Sequence, residues 1–168
     1  MTQTSKATAQ VHNIEPVYDT HSKILILGSF PSVKSREAQF FYGHPQNRFW
    51  KVIANVLNQS LPETIAEKKA LLLGQNIAVW DVIASCEITG SSDSSIRNVI
   101  PNDLSRILNT APVAQIFCNG AKSHALYRKY CQAPTGRQAV KLPSTSPANA
   151  AYSLSRLVEH WQAIRSFL

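Results

Sequence analysis

Cysteine is scarce: Cys86, Cys118 and Cys131 stand isolated in a chain of 168 residues. None belongs to a C-x-x-C pair and none has a histidine at zinc-finger spacing, so no disulfide framework, zinc site or iron–sulfur site is indicated. An odd number of thiols suits a reducing cytosol. Long apolar runs are also missing. No stretch approaches the ~20 residues of a membrane span, and the polar start MTQTSKATAQ lacks the apolar core of a signal peptide. The expectation is a soluble, cytoplasmic protein with no membrane partner and no metal. A glycine-rich phosphate loop of the Walker type is absent as well, which argues against a small-nucleotide hydrolase. Acidic residues are the weaker charge, 10 against 17 basic, leaving a net charge of +7 and a pI near 9.5. That balance favours a polyanionic partner. The length fits one domain whose core needs no disulfide or metal.

What is present is organised around Lys23 to Trp50. Lys23 to Leu27 is a short continuous apolar run closed by Gly28, the pattern of a strand covered on both faces in a parallel sheet. Ligands of open α/β sheets bind beyond the carboxyl ends of such strands. Beyond this one comes a long loop with Ser29, Phe30, Pro31 and Ser32, then Phe40, Phe41 and Tyr42, then His44 to Arg48. Residues 1 to about 20 read as a loose tail leading to a short ordered approach at Ile14, Pro16 and Val17, and 21–168 as a single domain.

Asn47 to Asn58 has helical apolar spacing, so Asn47 and Arg48 fall near a helix N-terminus, where backbone N–H groups favour an anion or a polarised water. Pro62-Glu63 opens a second helix that Gly74 stops. Asn76 to Ile83 reads as a second buried strand ending at Trp80 and Asp81, followed by a polar segment, GSSDSSIRN, taken as loop. Asn102 to Asn109 reads as a capped helix, Val113 to Cys118 as a third strand, Ala121 to Cys131 as a helix and Ala139 to Leu142 as a fourth strand. After a compact loop, Pro143 to Asn149, a striped helix runs from Ala150 to Leu168. Strand and helix alternate throughout, which predicts a three-layer α/β/α sandwich with a mainly parallel sheet of four strands. A parallel sheet would gather Gly28 to Pro31, Trp80-Asp81, Asn119-Gly120 and the 142–149 loop at one edge. That cleft, with aromatic, amide and hydroxyl groups, suits a flat heterocycle on a phosphate backbone.

Three segments carry a resemblance: Gly28-Ser29-Phe30-Pro31-Ser32, Tyr42 to Trp50 (YGHPQNRFW) and Leu142 to Asn149 (LPSTSPAN). They resemble the signature motifs of the uracil-DNA glycosylase superfamily, most of all its DNA-deoxyinosine (hypoxanthine-DNA) glycosylase branch. The resemblance spans about residue 14 to the end. It implies a monomeric enzyme that hydrolyses the N-glycosidic bond of a deaminated base in DNA without cofactor or metal, on the α/β/α fold already expected. It also implies hypoxanthine as the preferred base, with uracil and xanthine as others, a role at the start of base excision repair, and a place at the nucleoid.

The mismatch-specific members of that superfamily carry Gly-Ile-Asn-Pro-Gly as their first motif, with the Asn positioning the attacking water. Here Phe30 stands at that place, and the deoxyinosine branch shifts the catalytic role to Asn47; a helix cap is its alternative reading. Tyr42 matches the aromatic position on which the flipped base stacks, with a core aromatic as its alternative reading. His44 is a second catalytic candidate, as donor to the departing base, and otherwise a phosphate contact or a loop brace. Ser29, Phe30, Asp81 and Asn119 are base-binding candidates, with Asp81 also the rival general base and Asn119 alternatively a plain turn residue. Ser144, Thr145 and Ser146 are candidates for phosphate contact, and Pro147, Ala148 and Asn149 for wedging into the duplex; the plain alternative is a loop whose Asn149 caps the last helix. Phe40 and Phe41 are expected to anchor the loop in the core. Lys34, Lys51, Lys122, Arg128 and Arg137 are candidates for a basic surface. A non-catalytic nucleic-acid-binding module on the same scaffold is the alternative, since fold does not fix function.

Overall fold

In the computed structural model, which describes residues 8–11, 14–89 and 95–168, the central element is β2 (Ile24–Gly28). Its side chains Ile24 to Leu27 are fully buried, as an uninterrupted apolar run requires. It pairs in parallel with β3 (Ile77–Asp81) on one side and β6 (Gln115–Asn119) on the other, and β7 (Ala139–Leu142) extends the sheet beyond β6. The order β3-β2-β6-β7 is the expected four-stranded parallel sheet, and helices flank it. Among these, α3 (Ile65–Gly74) packs on β3, and α5 (Ala121–Tyr130) packs on β6 and β7. α2 (Phe49–Val56) packs on α7 (Leu154–Trp161), joining the middle of the chain to its end. The described helices include none long and apolar enough to cross a membrane.

Several elements depart from the sequence reading. The run Asn76 to Ile83 is two strands: β3 stops at Asp81, and after Val82 the chain turns into β4 (Ile83–Ile88). β4 pairs antiparallel with both β1 (Thr8–Val11) and β5 (Arg97–Pro101), making a second, three-stranded sheet. Part of the expected loose tail is therefore a strand, and the end of the polar segment is another; 1–7, 12–13 and 90–94 lie outside the described residues. Ile14 and Val17 are buried, and Val17 bridges Val79 at the outer edge of β3.

The loop after β2 contains a short helix, α1 (Val33–Ala38), whose N-cap Ser32 accepts the Ser35 amide. α3 begins at Ile65, not at Pro62, because Thr64 and Glu67 form a reciprocal capping box that fixes the first turn. The expected helix 102–109 is reduced to α4 (Ser105–Leu108), and α6 (Gln132–Thr135) follows α5. The last helix is shorter than its stripe, passing at Gln162 into a 3-10 segment that ends at Phe167. Its N-cap is Ser153, whose hydroxyl accepts the Arg156 amide, so Asn149 does not cap it.

Trp161 ties this last helix to the site. It is fully buried, its ring meets Phe49 edge-on at 5.9 Å, and its indole N–H donates to Pro143 O at 3.0 Å. Trp161→Ala removes both the packing and the bond, a loss of about 3–5 kcal/mol. Thermal unfolding will show a midpoint lower by roughly 6–20 °C, at about 2–4 °C per kcal/mol for a domain of this size.

The three thiols are buried. Burial pushes Cys118 up to about 12 and Cys131 up to about 11, and it raises Cys86, Tyr42 and Tyr127 in the same direction. Groups held neutral by folding ionise first in the unfolded chain, so their contribution is complete below the unfolded thiol range near ~8.5 and is lost as pH rises. Urea titrations will give an unfolding free energy that falls between about pH 8.5 and 11.

Candidate active site

Strand register builds the site. Gly28 is the register partner of Asp81, and Asn119 that of Leu142, so the carboxyl ends of β2, β3, β6 and β7 lie along one edge. There they enclose a cavity of about 150 Å³, a volume suited to one planar heterocycle, lined by Gly28 to Ser32, Ser35, Phe41, Tyr42, Asn47, Asp81, Asn119 and Ser144 to Ser146. A groove of about 310 Å³ adjoins it, lined by Ser32, Val33, Lys34, His44, Asn47, Ser146 and Pro147. Ser32, Asn47 and Ser146 border both. The sequence-predicted residues thus divide: Ser29, Phe30, Tyr42, Asp81, Asn119, Ser144 and Thr145 belong to the cavity, His44 and Pro147 to the groove, and Asn47 and Ser146 to the junction.

The cavity wall depends on a missing side chain. A Cβ at Gly28 would come within 2.3 Å of Asp81 Oδ1 and 3.2 Å of the Tyr42 hydroxyl. Glycine therefore lets the buried Asp81 carboxylate, 4% exposed, lie against the end of β2. Asn102 braces the same turn by donating its Nδ2 to Asp81 O at 2.9 Å, and Asn102 was not singled out from sequence. An Asn at the mouth of a helix gives no sign of a contact made 21 residues back along the chain.

Tyr42 forms part of the wall from an unusual backbone position, φ 54°, in the left-handed region that bulky residues seldom adopt. One face of its ring is stacked on Phe49 at 3.9 Å and 21°, which leaves only the opposite face for a base. Its hydroxyl is buried and completes no well-formed hydrogen bond; the Asn119 amide and the Asp81 carboxylate are its polar neighbours. Burial first, then the Asp81 charge, raises its pKa far above the ordinary phenol value, while Asn119 acts in the opposite direction. The ring faces the site as a neutral phenol. Phe40 and Phe41 are buried as expected, and Phe40 stacks on Trp50 at 6.0 Å.

Thr145 is the hub of the polar side. It is fully buried, so the phosphate contact expected of it is not available to its side chain. Its N–H donates to Asn119 Oδ1 at 3.0 Å, and its carbonyl accepts the Arg48 amide at 3.1 Å. Its hydroxyl accepts from Asn119 Nδ2 at 3.0 Å and donates to Asn47 Oδ1 at 2.9 Å. Asn119 thereby braces the loop while also lining the cavity. Asn47 Oδ1 also accepts the Phe49 amide at 2.9 Å; the N-cap of α2 is Arg48, so Asn47 is not the cap residue itself but satisfies the first helical amide from the position before it.

Arg48 is the residue that sequence reading undervalued. Its guanidinium donates to the carbonyls of Tyr152, Ser146 and Asn149 from the inside of the loop, with the last two bonds at 3.0 Å. Asn149 Nδ2 in turn donates to Ser144 O at 3.0 Å. The Arg48 contacts span about a hundred positions, and no local pattern signals them. Pro147 and Ala148 stay exposed at the loop tip, where an inserting wedge belongs, while Asn149 is half-buried. His44 Nδ1 accepts the Gln46 amide at 3.1 Å, bracing its turn and facing the groove beside Lys34. Of the basic candidates, Lys34, Lys51, Lys122 and Arg128 are exposed, whereas Arg137 is half-buried and donates to Val113 O. The described residues contain no cluster of metal-ligating side chains.

A family model described as the uracil DNA glycosylase superfamily matches residues 15–167. The chain belongs to that superfamily. Two curated relatives share most of its length. A hypoxanthine DNA glycosylase of Methanosarcina acetivorans is 34% identical over 149 residues, covering 88% of this chain and 93% of the relative. A hypoxanthine DNA glycosylase of Methanosarcina barkeri is 30% identical over 142 residues, covering 84% and 89%. The fold agrees with a solution NMR structure of a Methanosarcina acetivorans protein described as a candidate uracil DNA glycosylase, at TM-score 0.77 and 33% identity over 90% of this chain and 93% of that one.

Gly28→Ala tests how tightly the wall is built. The added methyl forces Asp81 away from β2, an overpacking expected to cost about 1–3 kcal/mol. The variant will melt roughly 2–12 °C below wild type. A melting point unchanged within error would show that Asp81 has room to give way.

Proposed function

We propose that this protein is a monofunctional DNA glycosylase that releases deaminated bases, hypoxanthine before uracil or xanthine, at the start of base excision repair. The observation that carries the reading is the position of Asn47. It sits at the junction of a base-sized cavity and an open groove bordered by Lys34 and His44, where the sugar of an extruded nucleotide would lie. The preference for hypoxanthine is supported by the activity for which both Methanosarcina relatives are named. Among the described residues no lysine lines the cavity, and Lys34 at the groove is exposed and ion-paired with Glu37 at 3.6 Å, which supports hydrolysis by water over Schiff-base lyase chemistry.

In this reading the C1′–N bond breaks with its electron pair going to the base. A water oxygen bonds to C1′ and gives its proton to the solvent. Positive charge grows on the sugar and negative charge on the base, so the site must stabilise both and hold the water. Tyr42 offers the free face of its ring to the base, a contact worth ~1–3 kcal/mol where bases stack on aromatic side chains. Asp81 accepts a hydrogen bond from the base edge. Ser144 and Ser146 contact the flanking phosphates, and the Pro147-Ala148 tip fills the gap left in the duplex. The partner is DNA, met by a basic monomer in the cytoplasm at the nucleoid; the charge of +7 supports the attraction.

The test is an excision assay on oligonucleotides carrying one deoxyinosine, deoxyuridine or deoxyxanthosine, as single strands and duplexes. Wild type will release free hypoxanthine over many turnovers, and Asn47→Ala will lower the single-turnover rate about 100-fold or more. Binding of all three lesions without release of any base would overturn the enzyme and leave a damage-sensitive binding module.

A further inference from the structure

The polarity of the hydrogen bonds around Asn47 fixes more than its place. A backbone N–H can only donate, so the Asn47 atom 2.9 Å from the Phe49 amide is the carbonyl oxygen. By the same logic, the Asn119 atom 3.0 Å from the Thr145 amide is its oxygen, and its Nδ2 is the atom 3.0 Å from the Thr145 hydroxyl. That hydroxyl accepts from Asn119, so its single proton goes to Asn47 Oδ1, 2.9 Å away. The chain of donors runs one way, from the Asn119 amine through the Thr145 hydroxyl to the Asn47 carbonyl. A carbonyl oxygen has two lone pairs, and here both are taken. Turning the Asn47 amide over would set its amine against the Phe49 N–H and leave the Thr145 hydroxyl proton without its acceptor.

We propose that Thr145 is a positioning residue that fixes the Asn47 amide with its NH2 group, not its carbonyl, toward the substrate. The proposal rests on the glycosylase reading above. Thr145 suits the task because nothing about it is free to move: it is fully buried, β-branched and bonded through its N–H, carbonyl and hydroxyl. Asn47 then presents a hydrogen-bond donor at the junction of cavity and groove. A water held by that donor uses one lone pair to accept and keeps the other for C1′. The proton it loses passes to bulk water, since the amide has no lone pair left to take it.

The experiment compares Thr145→Val, Thr145→Ser, Asn47→Ala and the Thr145→Val/Asn47→Ala double variant on a deoxyinosine duplex. Thr145→Val keeps the shape and removes the hydroxyl. Its single-turnover rate will fall about 10- to 100-fold, the scale of a misplaced catalytic group, while affinity for an uncleavable inosine analogue stays within about threefold. Thr145→Ser, which restores the donor, will recover most of the rate, and the double variant will be no slower than Asn47→Ala alone. A wild-type rate in Thr145→Val, or losses that multiply in the double variant, would overturn the proposal.

NMR separates this proposal from the glycosylase reading. In wild type the Thr145 hydroxyl proton will exchange slowly enough to be seen and will show a nuclear Overhauser contact to the Phe49 amide proton, because both point at Asn47 Oδ1. The Asn47 carboxamide signal, assigned by its loss in Asn47→Ala, will shift in Thr145→Val and not in Thr145→Ser. Absence of the hydroxyl contact would overturn the proposal without any variant. Wild-type protein that shows the contact but releases no base would instead sink the glycosylase reading.

Discussion

Parallel pairing of β2 with β3 and β6, and of β6 with β7, is the constraint on which the rest of the structure depends. Four strands running the same way must end at the same edge, and the register lines up Gly28 with Asp81 and Asn119 with Leu142. Every cavity residue outside the 29–48 segment reaches the site from one of these strand ends or from the loop that follows it. The buried run of β2 fixes the axis, and the absence of a side chain at Gly28 lets the Asp81 carboxylate come close. The antiparallel sheet hangs from the same edge: only Val82 separates β3 from β4, so the wall of the cavity and the smaller sheet share one continuous piece of backbone.

The elements visible in the sequence are those with an uninterrupted or periodic apolar signal. β2 and β7 fall where such patterns place them, and α2 shows its buried stripe of Phe49, Trp50, Val52, Ile53 and Val56. The smaller sheet lacks this signal. In β1 and β5 the apolar residues Val11 and Ile100 face outward, and β4 is irregular against β5, so no period survives to be read. The break at Val82 is hidden inside a run that stays apolar on both sides of it.

The site was legible in its membership and not in its wiring. Motif resemblance and strand-end logic placed together Tyr42, Asn47, Asp81, Asn119 and Ser144 to Ser146, which line one cavity, whereas Ala148 and Asn149 line neither cavity nor groove. Neither the motifs nor the strand ends could show that Thr145 faces inward, because a hydroxyl between two serines and a proline reads as a surface contact. Its bonds to Asn119 and Asn47 cross 26 and 98 positions. The polar residues of a site divide into those that meet a ligand and those that hold the first group still, and composition alone does not sort them.

The Arg48 guanidinium, set inside the loop and bonded to three of its carbonyls, has a thermodynamic consequence. A segment that inserted into DNA from a disordered state would give up its conformational freedom at the moment of binding, at about 1–2 kcal/mol per residue of backbone. Here the carbonyls of Ser146, Asn149 and Tyr152 are already bound, and those torsions are frozen when the chain folds. A loop held in this way does not add that ordering cost to the binding of a partner.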